Sequence, residues 1–349
     1  MAIHADERYE VKPIDVRSSS EDELQASASV MGAVMRERVS EDPETSLAYR
    51  VRSIRATPDS FERRDWIARD GGTAVGRAVA WRRLYGDKQN VRNSEIEVLP
   101  DHRRRGLARA FLHEIVRTAA DDDSALFGFI TTDRIPGGES FLRRAGAEPG
   151  MVMTTNQVDL ASVDRALLAA WREARPAGYR LEWIDGDVPE YLLDNVVAAY
   201  AAMAATPTGT LRIWDFTATP EVVRSYESAR QEQGREHALV LAIDEATGET
   251  AGFTEASWHP EQSYLIRQGG TAVTTKHQGR GVGKWLKALL LERILAEHPQ
   301  ARYMRTNNNP VNAPIIAINE RLGFRPAWTN TIWQLPIAGA RRYLQGSTA

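Results

Sequence analysis

The chain contains no cysteine, which excludes disulfides, thiolate metal sites and a cysteine nucleophile and fits a reducing compartment. No stretch approaches the roughly 18 consecutive apolar residues that a membrane-spanning helix needs, and residues 1–10 lack the apolar core of a signal peptide. A cytoplasmic protein with no membrane partner is expected. An excess of one charge is missing too: 44 Lys and Arg stand against 47 Asp and Glu, for a formal charge of −3. Neither half carries the basic excess that nucleic-acid binding requires, so no nucleic acid is expected as a partner. No His/Asp/Glu cluster has metal-ligand spacing, and no metal is expected. What remains is an ordinary globular composition, 42% apolar and 26% charged over 349 residues. That length predicts two domains, each able to fill its own core.

Against this plain background one short pattern occurs twice. Arg103-Arg104-Arg105-Gly106-Leu107-Ala108 and Gln278-Gly279-Arg280-Gly281-Val282-Gly283 both fit Gln/Arg-x-x-Gly-x-Gly/Ala, half the chain apart. Each follows a strand-like stretch and opens a strongly helical run. A small-residue loop leading into a helix leaves backbone N–H groups exposed at the positive end of the helix dipole, an arrangement that attracts phosphate. A basic run such as 103–105 is by itself an ordinary solvated loop. The glycine that follows it turns the reading toward phosphate.

The order of elements repeats as well. The first half reads as a strand at 9–16 and a helix at 21–38, with Ser20 as its cap and Glu23 three residues on. A hairpin follows, 66–69 and 73–81 around Asp70-Gly71-Gly72, then a strand at 96–99 before the loop. Behind the loop, Ala108, Phe111, Leu112, Ile115, Val116 and Ala119 mark one apolar face of a helix. The apolar run 125–131 suits a buried strand, and a short helix at 140–145 ends at Gly146. A helix over 160–174 links the halves, and Arg175-Pro176-Ala177-Gly178 stops it. The second half gives a strand at 179–183, helices at 191–204 and 220–233, a hairpin of 237–243 with 250–257, and the strand 264–273 before the second loop. A helix at 283–297, a strand at 303–306, a helix at 314–322 and a strand at 331–335 complete it. The domains are expected at 1–160 and 178–349, with a linking helix at 161–177.

Three phosphate-binding families compete for the loops. A P-loop needs Lys-Ser/Thr after its glycine, but Lys284 is followed by Trp285, so the magnesium-holding hydroxyl is missing. A dinucleotide fold needs Gly-x-Gly-x-x-Gly after its first strand, whereas Gly279, Gly281 and Gly283 have the wrong spacing and come mid-domain. The third family fits. Gln/Arg-x-x-Gly-x-Gly/Ala between the fourth strand and a long helix of a mixed sheet resembles the pyrophosphate loop of the GNAT N-acetyltransferase superfamily. The segment 306–312, rich in asparagine, followed by Asn319-Glu320-Arg321-Leu322-Gly323-Phe324, is similar to the last helix and following strand in one branch of it. In the first half Gly146-Ala147 replaces Gly-Phe. The doubled layout is similar to that of tandem acetyltransferases such as mycothiol synthase.

The resemblance implies an α/β fold of two tandem acyl-CoA-binding domains, each a central mixed β-sheet flanked by helices. It implies acetyl-CoA as co-substrate, held in a gap beside the strand before the loop. The positions carried over for its pyrophosphate are Arg103, Arg104, Arg105, Gly106, Leu107, Ala108 and Arg109 in one half, and Gln278, Gly279, Arg280, Gly281, Val282, Gly283 and Lys284 in the other. Small residues let the pyrophosphate approach the backbone, and Arg or Lys adds charge-assisted hydrogen bonds. Arg104 stands where the second copy has Gly279 and adds bulk there. The N–H groups near Val98 and Val273 are placed to bind the thioester oxygen and stabilise the oxyanion. Asn308 and Asn312 serve either the pantetheine arm or a helix cap.

Acetyl transfer to an amine needs a base, because an alkyl amine with pKa near about 10 is mostly protonated at neutral pH. Glu95 and Glu97 alternate with Ile96 and Val98 beside the first loop, so one face of that strand is acidic. In the second half the matching positions are Gly270 and Ala272. Its nearest acid is Glu255, a lone carboxylate that reads either as a base of raised pKa or as simply paired with an arginine. The tyrosine that often protonates the departing thiolate in this family is replaced by Leu142 and Asn319. Either the thiolate leaves unprotonated or another tyrosine serves, with Tyr264 and Tyr303 as candidates. The better motif match favours the second domain for the chemistry, and the better base favours the first. The expected activity is N-acetyl transfer to a small-molecule amine, its acceptor lined by residues 203–215 and the early helices. Two alternatives stay open: a CoA-binding sensor or scaffold without turnover, and an acyltransferase using a longer acyl-CoA or a protein lysine.

Overall fold

A computed structural model describes residues 8–84, 90–123, 125–204, 211–212, 217–309 and 311–346. In chain order the elements are β1 (Tyr9–Ile14), α1 (Glu21–Arg38), α2 (Leu47–Arg55), β2 (Phe61–Asp70), β3 (Thr73–Arg83), β4 (Val91–Val98), α3 (Leu107–Arg117), β5 (Leu126–Thr132), α4 (Gly137–Arg144), β6 (Glu148–Asp159) and α5 (Arg165–Glu173). They continue as β7 (Tyr179–Asp185), α6 (Leu193–Ala204), α7 (Pro220–Glu232), β8 (Glu236–Asp244), β9 (Thr250–Trp258), β10 (Leu265–Val273), α8 (Val282–Glu297), β11 (Tyr303–Asn308), α9 (Ala313–Arg321), β12 (Arg325–Pro336) and α10 (Ile337–Gln345). Among the described residues no helix is long and apolar enough to cross a membrane.

The residues form two compact units. The first comprises Met1–Val152, Gly209–Asp215 and Thr329–Ala349; the second comprises Met153–Thr208 and Phe216–Trp328. In the first, β1, β2, β3 and β4 run antiparallel, β5 lies parallel to β4, and β12 closes the order antiparallel to β5. In the second, β7, β8, β9 and β10 run antiparallel, β11 lies parallel to β10, and β6 closes the order antiparallel to β11. Each unit is therefore a mixed sheet in the same order. Each takes its last strand from the opposite half of the sequence.

Helices cover both faces. In the first unit α1 packs on β3 and β4, and α3 packs on the same strands with α10 beside it. Gly76 fixes which face is which: a Cβ there would lie 3.0 Å from the Phe111 ring of α3. Gly76 and its partner Val98 thus face α3, and by strand alternation Arg77, Glu95 and Glu97 face α1. The α3 side is apolar, with Phe111, Leu112, Ile115, Phe127 and Trp333 fully buried. In the second unit Trp285, Leu286, Leu290 and Ile294 of α8 fill the matching side.

The sequence expectation for α1 matches the structure: Ser20 accepts from the Glu23 N–H, acids fill the first turn, and Arg36 and Arg38 close the last, as the helix dipole favours. Two helices carry no expectation from the sequence. Helix α2 buries only Tyr49, Val51 and Ile54 between arginines, and α10 begins directly after Pro336. The expected helix over 160–174 is a short 3-10 turn at Leu160–Ser162 and then α5, because Asp164 caps a new start.

Candidate active site

The strand before each loop parts from its parallel neighbour. In the first unit β4 pairs with β5 only from Val91 to Ser94. Beyond Ser94 the strands separate, and the opening is a cleft of about 410 Å³. Residues 94–98 of β4 line one side of it, with Phe129, Ile130, Thr131 and Thr132 of β5 across from them. The cleft is bounded by Val34 and Arg38 of α1, by the loop before α3, and by Phe141 and Leu142 of α4. It therefore meets both faces of the sheet. In the second unit β10 pairs with β11 only from Leu265 to Arg267, and a bulge follows between Gln268 and Thr271.

The repeated loops share one backbone conformation. Gly106 and Gly281 both adopt φ +86° and open their helices with no side-chain cap. Helices α1, α2, α5, α7 and α9, in contrast, are capped by Ser20, Ser46, Asp164, Thr219 and Asn312. The first N–H groups of α3 and α8 are thus left to another acceptor. Gly279 has φ +75°, and Arg104, at the same step of the other loop, is among the described residues the one non-glycine in this region, at φ +62°. That conformation is strained for a side-chain-bearing residue. The first loop accepts the strain and keeps the same amide arrangement.

The first residue of each loop does the same task. Arg103 Nε donates to the Val98 carbonyl at 2.9 Å, and Gln278 Nε2 donates to the Val273 carbonyl at 3.1 Å. Leu99 N–H donates to Val75 and Thr274 N–H to Ala251. In an antiparallel ladder the neighbouring residue turns its groups the other way, so the N–H groups of Val98 and Val273 point into the openings beside β4 and β10. Behind each loop a tyrosine and a histidine meet. Tyr9 and His102 are 3.1 Å apart, and Tyr179 and His277 2.8 Å apart.

The remaining loop side chains divide. Arg104 and Arg105 are exposed. Arg103 also binds Glu37 of α1 at 2.7 Å. Arg109 donates to the Leu344 carbonyl at 2.6 Å and lies over the Tyr343 ring, fastening α10 beside the cleft. Arg280 turns to Tyr179, and Lys284 lies over Trp171.

The carboxylates differ sharply. Glu97 is buried and paired with buried Arg77 at 2.6 Å, so its oxygen is already engaged. Glu95 opens into the cleft. The protein packed around it, and then the Glu97 charge, hold its carboxyl above the ordinary carboxylate range, while Arg77, Arg38 and Arg63 pull the other way. Glu255 is not the raised carboxyl that its apolar strand suggested, and among the described residues no arginine pairs with it. Burial pushes its pKa up, but His237, the Gly270 N–H and Tyr200 more than offset that and lower it. His237 Nε2 lies 3.0 Å away, Gly270 N–H donates at 2.9 Å and the Tyr200 hydroxyl at 2.9 Å.

The asparagines form a knot rather than an open row. Asn308 accepts from Asn156 at 2.9 Å and from Asn319 at 3.1 Å, and Asn312 caps α9. Leu142, at the position where the family often has tyrosine, is core and lines the cleft. Three cleft residues escaped the sequence reading. Ser94 is buried where the strands part, its hydroxyl without a partner. Tyr343 of α10 lines the same cleft, edge-on to Phe141 at 5.9 Å. Arg38 ends α1. Of these only Arg38 lay in an expected element. The acceptor lining expected at 203–215 falls outside the described residues over 205–210 and 213–215.

Comparison with known proteins agrees with this geometry. The Acetyltransferase (GNAT) family matches residues 32–134 and 165–324. Among solved structures, a tandem GNAT protein from the clavulanic acid biosynthesis pathway is 26% identical, with a TM-score of 0.77 over 94% of this chain and 98% of that one. A GCN5-related N-acetyltransferase from Sphaerobacter thermophilus shares the fold at 14% identity, with a TM-score of 0.66 over 96% of this chain and 97% of that one. A search of curated proteins finds no match. The uncapped helices, left-handed glycines and parted strands recur in both halves. The chain belongs to the GNAT acetyltransferase family, as two GNAT domains in tandem.

Proposed function

We propose that this protein is a cytoplasmic, acetyl-CoA-dependent N-acetyltransferase acting on a small-molecule amine, and that the first unit carries the chemistry. One observation supports that choice above the rest: Glu95 is a carboxylate of raised pKa standing unpaired in an open cleft. A base serves best when its pKa lies near the working pH. Glu255, lowered and held by three donors, is a poorer base. The sequence motifs favour the second unit, and the side-chain geometry favours the first.

The roles follow from position. The loop amides of residues 103–108 hold the diphosphate from the α3 side of the sheet. Acetyl-CoA supplies the thioester. The Val98 N–H points into the gap, where a donor stabilises the charge that develops on the thioester oxygen. Glu95, on the α1 side, takes the proton of the incoming amine. Tyr343, the tyrosine of the cleft, takes the place of the missing family tyrosine as proton donor to the departing sulfur.

Calorimetry with acetyl-CoA, followed by thiol release with a panel of small amines, tests the reading. Uptake with amine-dependent thiol release is expected. Uptake without release for any amine would overturn the enzyme in favour of a CoA-binding sensor. Release with longer acyl-CoA but not with acetyl-CoA would overturn the acetyl assignment.

A further inference from the structure

Acyl transfer in the first unit, the reading on which this inference rests, leaves Arg38 without a task. Arg38 lines the same cleft as Glu95. Its Nε is buried with no hydrogen-bond partner, and its guanidinium joins no ion pair among the described residues. Four other arginines of the first unit are engaged: Arg36 with Glu44 at 3.1 Å, Arg103 with Glu37, Arg134 with Glu41 and Arg77 with Glu97. Burying part of a guanidinium without an anion is unfavourable. Its backbone is fixed: the Arg38 carbonyl accepts from Arg134 at 2.9 Å, and the adjacent Glu37 is tied to the pyrophosphate loop. The end of α1 is thus pinned to both walls of the cleft, with one guanidinium left over.

The position decides which anion this guanidinium meets. The phosphates of acyl-CoA belong to the loop before α3. Arg38 belongs to α1, on the face where Glu95 receives the amine, and it is near enough to Glu95 to draw its pKa down. We infer that the acceptor is an amine that also bears a carboxylate, an amino acid or a close derivative, with its amino group at Glu95 and its carboxylate on Arg38. A carboxylate accepts the two parallel N–H bonds that a guanidinium offers and an ammonium does not. At the matching end of α6 the second unit has Met203, which packs against Gly270, so among the described residues this position offers a guanidinium in the first unit and none in the second.

The test pairs α-, β- and γ-amino acids with their methyl esters and measures kcat/KM by thiol release for the wild-type chain, Arg38→Gln and Arg38→Lys. Comparing each acid-to-ester ratio between proteins cancels the different basicities of acid and ester. For the best acid, the ratio is expected to fall roughly 10- to 100-fold in Arg38→Gln, the size of a lost charged hydrogen-bond pair, and to recover only in part in Arg38→Lys. An unchanged ratio would overturn the inference and leave acyl transfer standing. Weaker acetyl-CoA uptake by Arg38→Gln in calorimetry would overturn it as well, since Arg38 would then belong to the cofactor site. If wild type turns over no amine, calorimetry of the amino acids against the acetyl-CoA-loaded chain decides: uptake lost in Arg38→Gln upholds the carboxylate site and sinks acyl transfer, and no uptake sinks both.

Discussion

Arg77 and Glu97 face each other across β3 and β4 in the first unit. At the same step of the second unit, Phe253 faces Ala272 across β9 and β10. Two residues further along, Glu95 of β4 stands opposite Val79, while in the second unit Glu255 of β9 reaches to the bulge at Gly270. Both units thus place a carboxylate where the strand leaves its parallel neighbour, on the face away from the loop helix, but from opposite strands. The surroundings differ most. Glu95 sits among the charges of Arg38, Arg77 and Glu97, while Glu255 is held by His237, Tyr200 and the Gly270 N–H, beside an apolar cluster that includes Leu239, Leu241 and Phe253. The second unit shows that this fold closes well over an apolar face. The sheet thus forms with Phe253 and Ala272 where the first unit has Arg77 and Glu97, so the fold does not require that ion pair.

Exchanging the carboxylates breaks the comparison most sharply. Glu95→Gln is expected to lower kcat/KM by roughly 10²- to 10⁴-fold, the usual worth of a general base, and Glu255→Gln by less than about tenfold. A Glu255→Gln enzyme that lost more than Glu95→Gln would move the chemistry to the second unit. The pH profile carries a second signature. Because Glu95 holds its proton above the ordinary carboxylate range, the acid limb of kcat/KM in wild type should lie above that range and should vanish in Glu95→Gln. The stability effect has the opposite sign. A raised folded pKa means that the native state binds this proton more tightly than the unfolded chain. Its contribution to stability is greatest at low pH and falls as pH climbs from the unfolded value, about 4.3, through the raised one. Glu95→Gln should therefore melt higher than wild type at neutral pH while turning over far less.

The buried pair gives a smaller effect and a cleaner one. Glu97→Ala leaves Arg77 charged, buried and unpaired, which should cost about 3–5 kcal/mol in urea unfolding. Adding Arg77→Phe gives the first unit the pair that the second already holds, Phe with Ala, and should restore most of that loss. A double variant as unstable as the single one would show that the two faces are not interchangeable. In the second unit buried Lys287 lies over the Phe324 ring, and burial alone depresses it to about 7.

Much of this was legible in the sequence, and the divide has a physical cause. Loop and helix starts are local events: Gly106, Gly281 and the apolar face from Phe111 to Val116 announce themselves within a few residues. The doubled order of elements, and with it the family, followed from them. What depended on pairing across the chain was hidden. That β12 adds to β5 and β6 to β11 is decided by contacts between the two halves of the sequence, which periodicity does not carry. The state of each carboxylate was hidden for the same reason. Glu97 and Glu95 lie two residues apart on one face of a strand, yet one meets Arg77 and the other opens into the cleft. Glu255 read as isolated because its donors, Tyr200 and His237, lie on α6 and β8. Tyr343 could not be placed in the cleft before β12 was placed in the sheet.

The smallest expected difference concerns the pairs behind the loops. Tyr9 begins β1 and meets His102, the residue before Arg103; Tyr179 begins β7 and meets His277, the residue before Gln278. The geometry repeats closely, with edge-on rings 5.9 Å apart in one unit and 5.5 Å in the other. Each pair anchors the start of a phosphate loop to the first strand of its sheet. The second pair is the more buried, since His277 is 7% exposed and His102 22%. A hydroxyl removed from a buried pair costs more than one removed beside water, because the partner left behind is harder to hydrate. Tyr179→Phe should therefore weaken acetyl-CoA uptake at the second loop by a few-fold, about 1 kcal/mol, and Tyr9→Phe should weaken uptake at the first by less. Calorimetry can separate the two once Gly106→Val or Gly281→Val has disabled one loop at a time. Equal losses would mean that exposure at His102 does not relieve the lost bond, and a greater loss in Tyr9→Phe would mean that the first loop, already strained at Arg104, leans harder on its anchor.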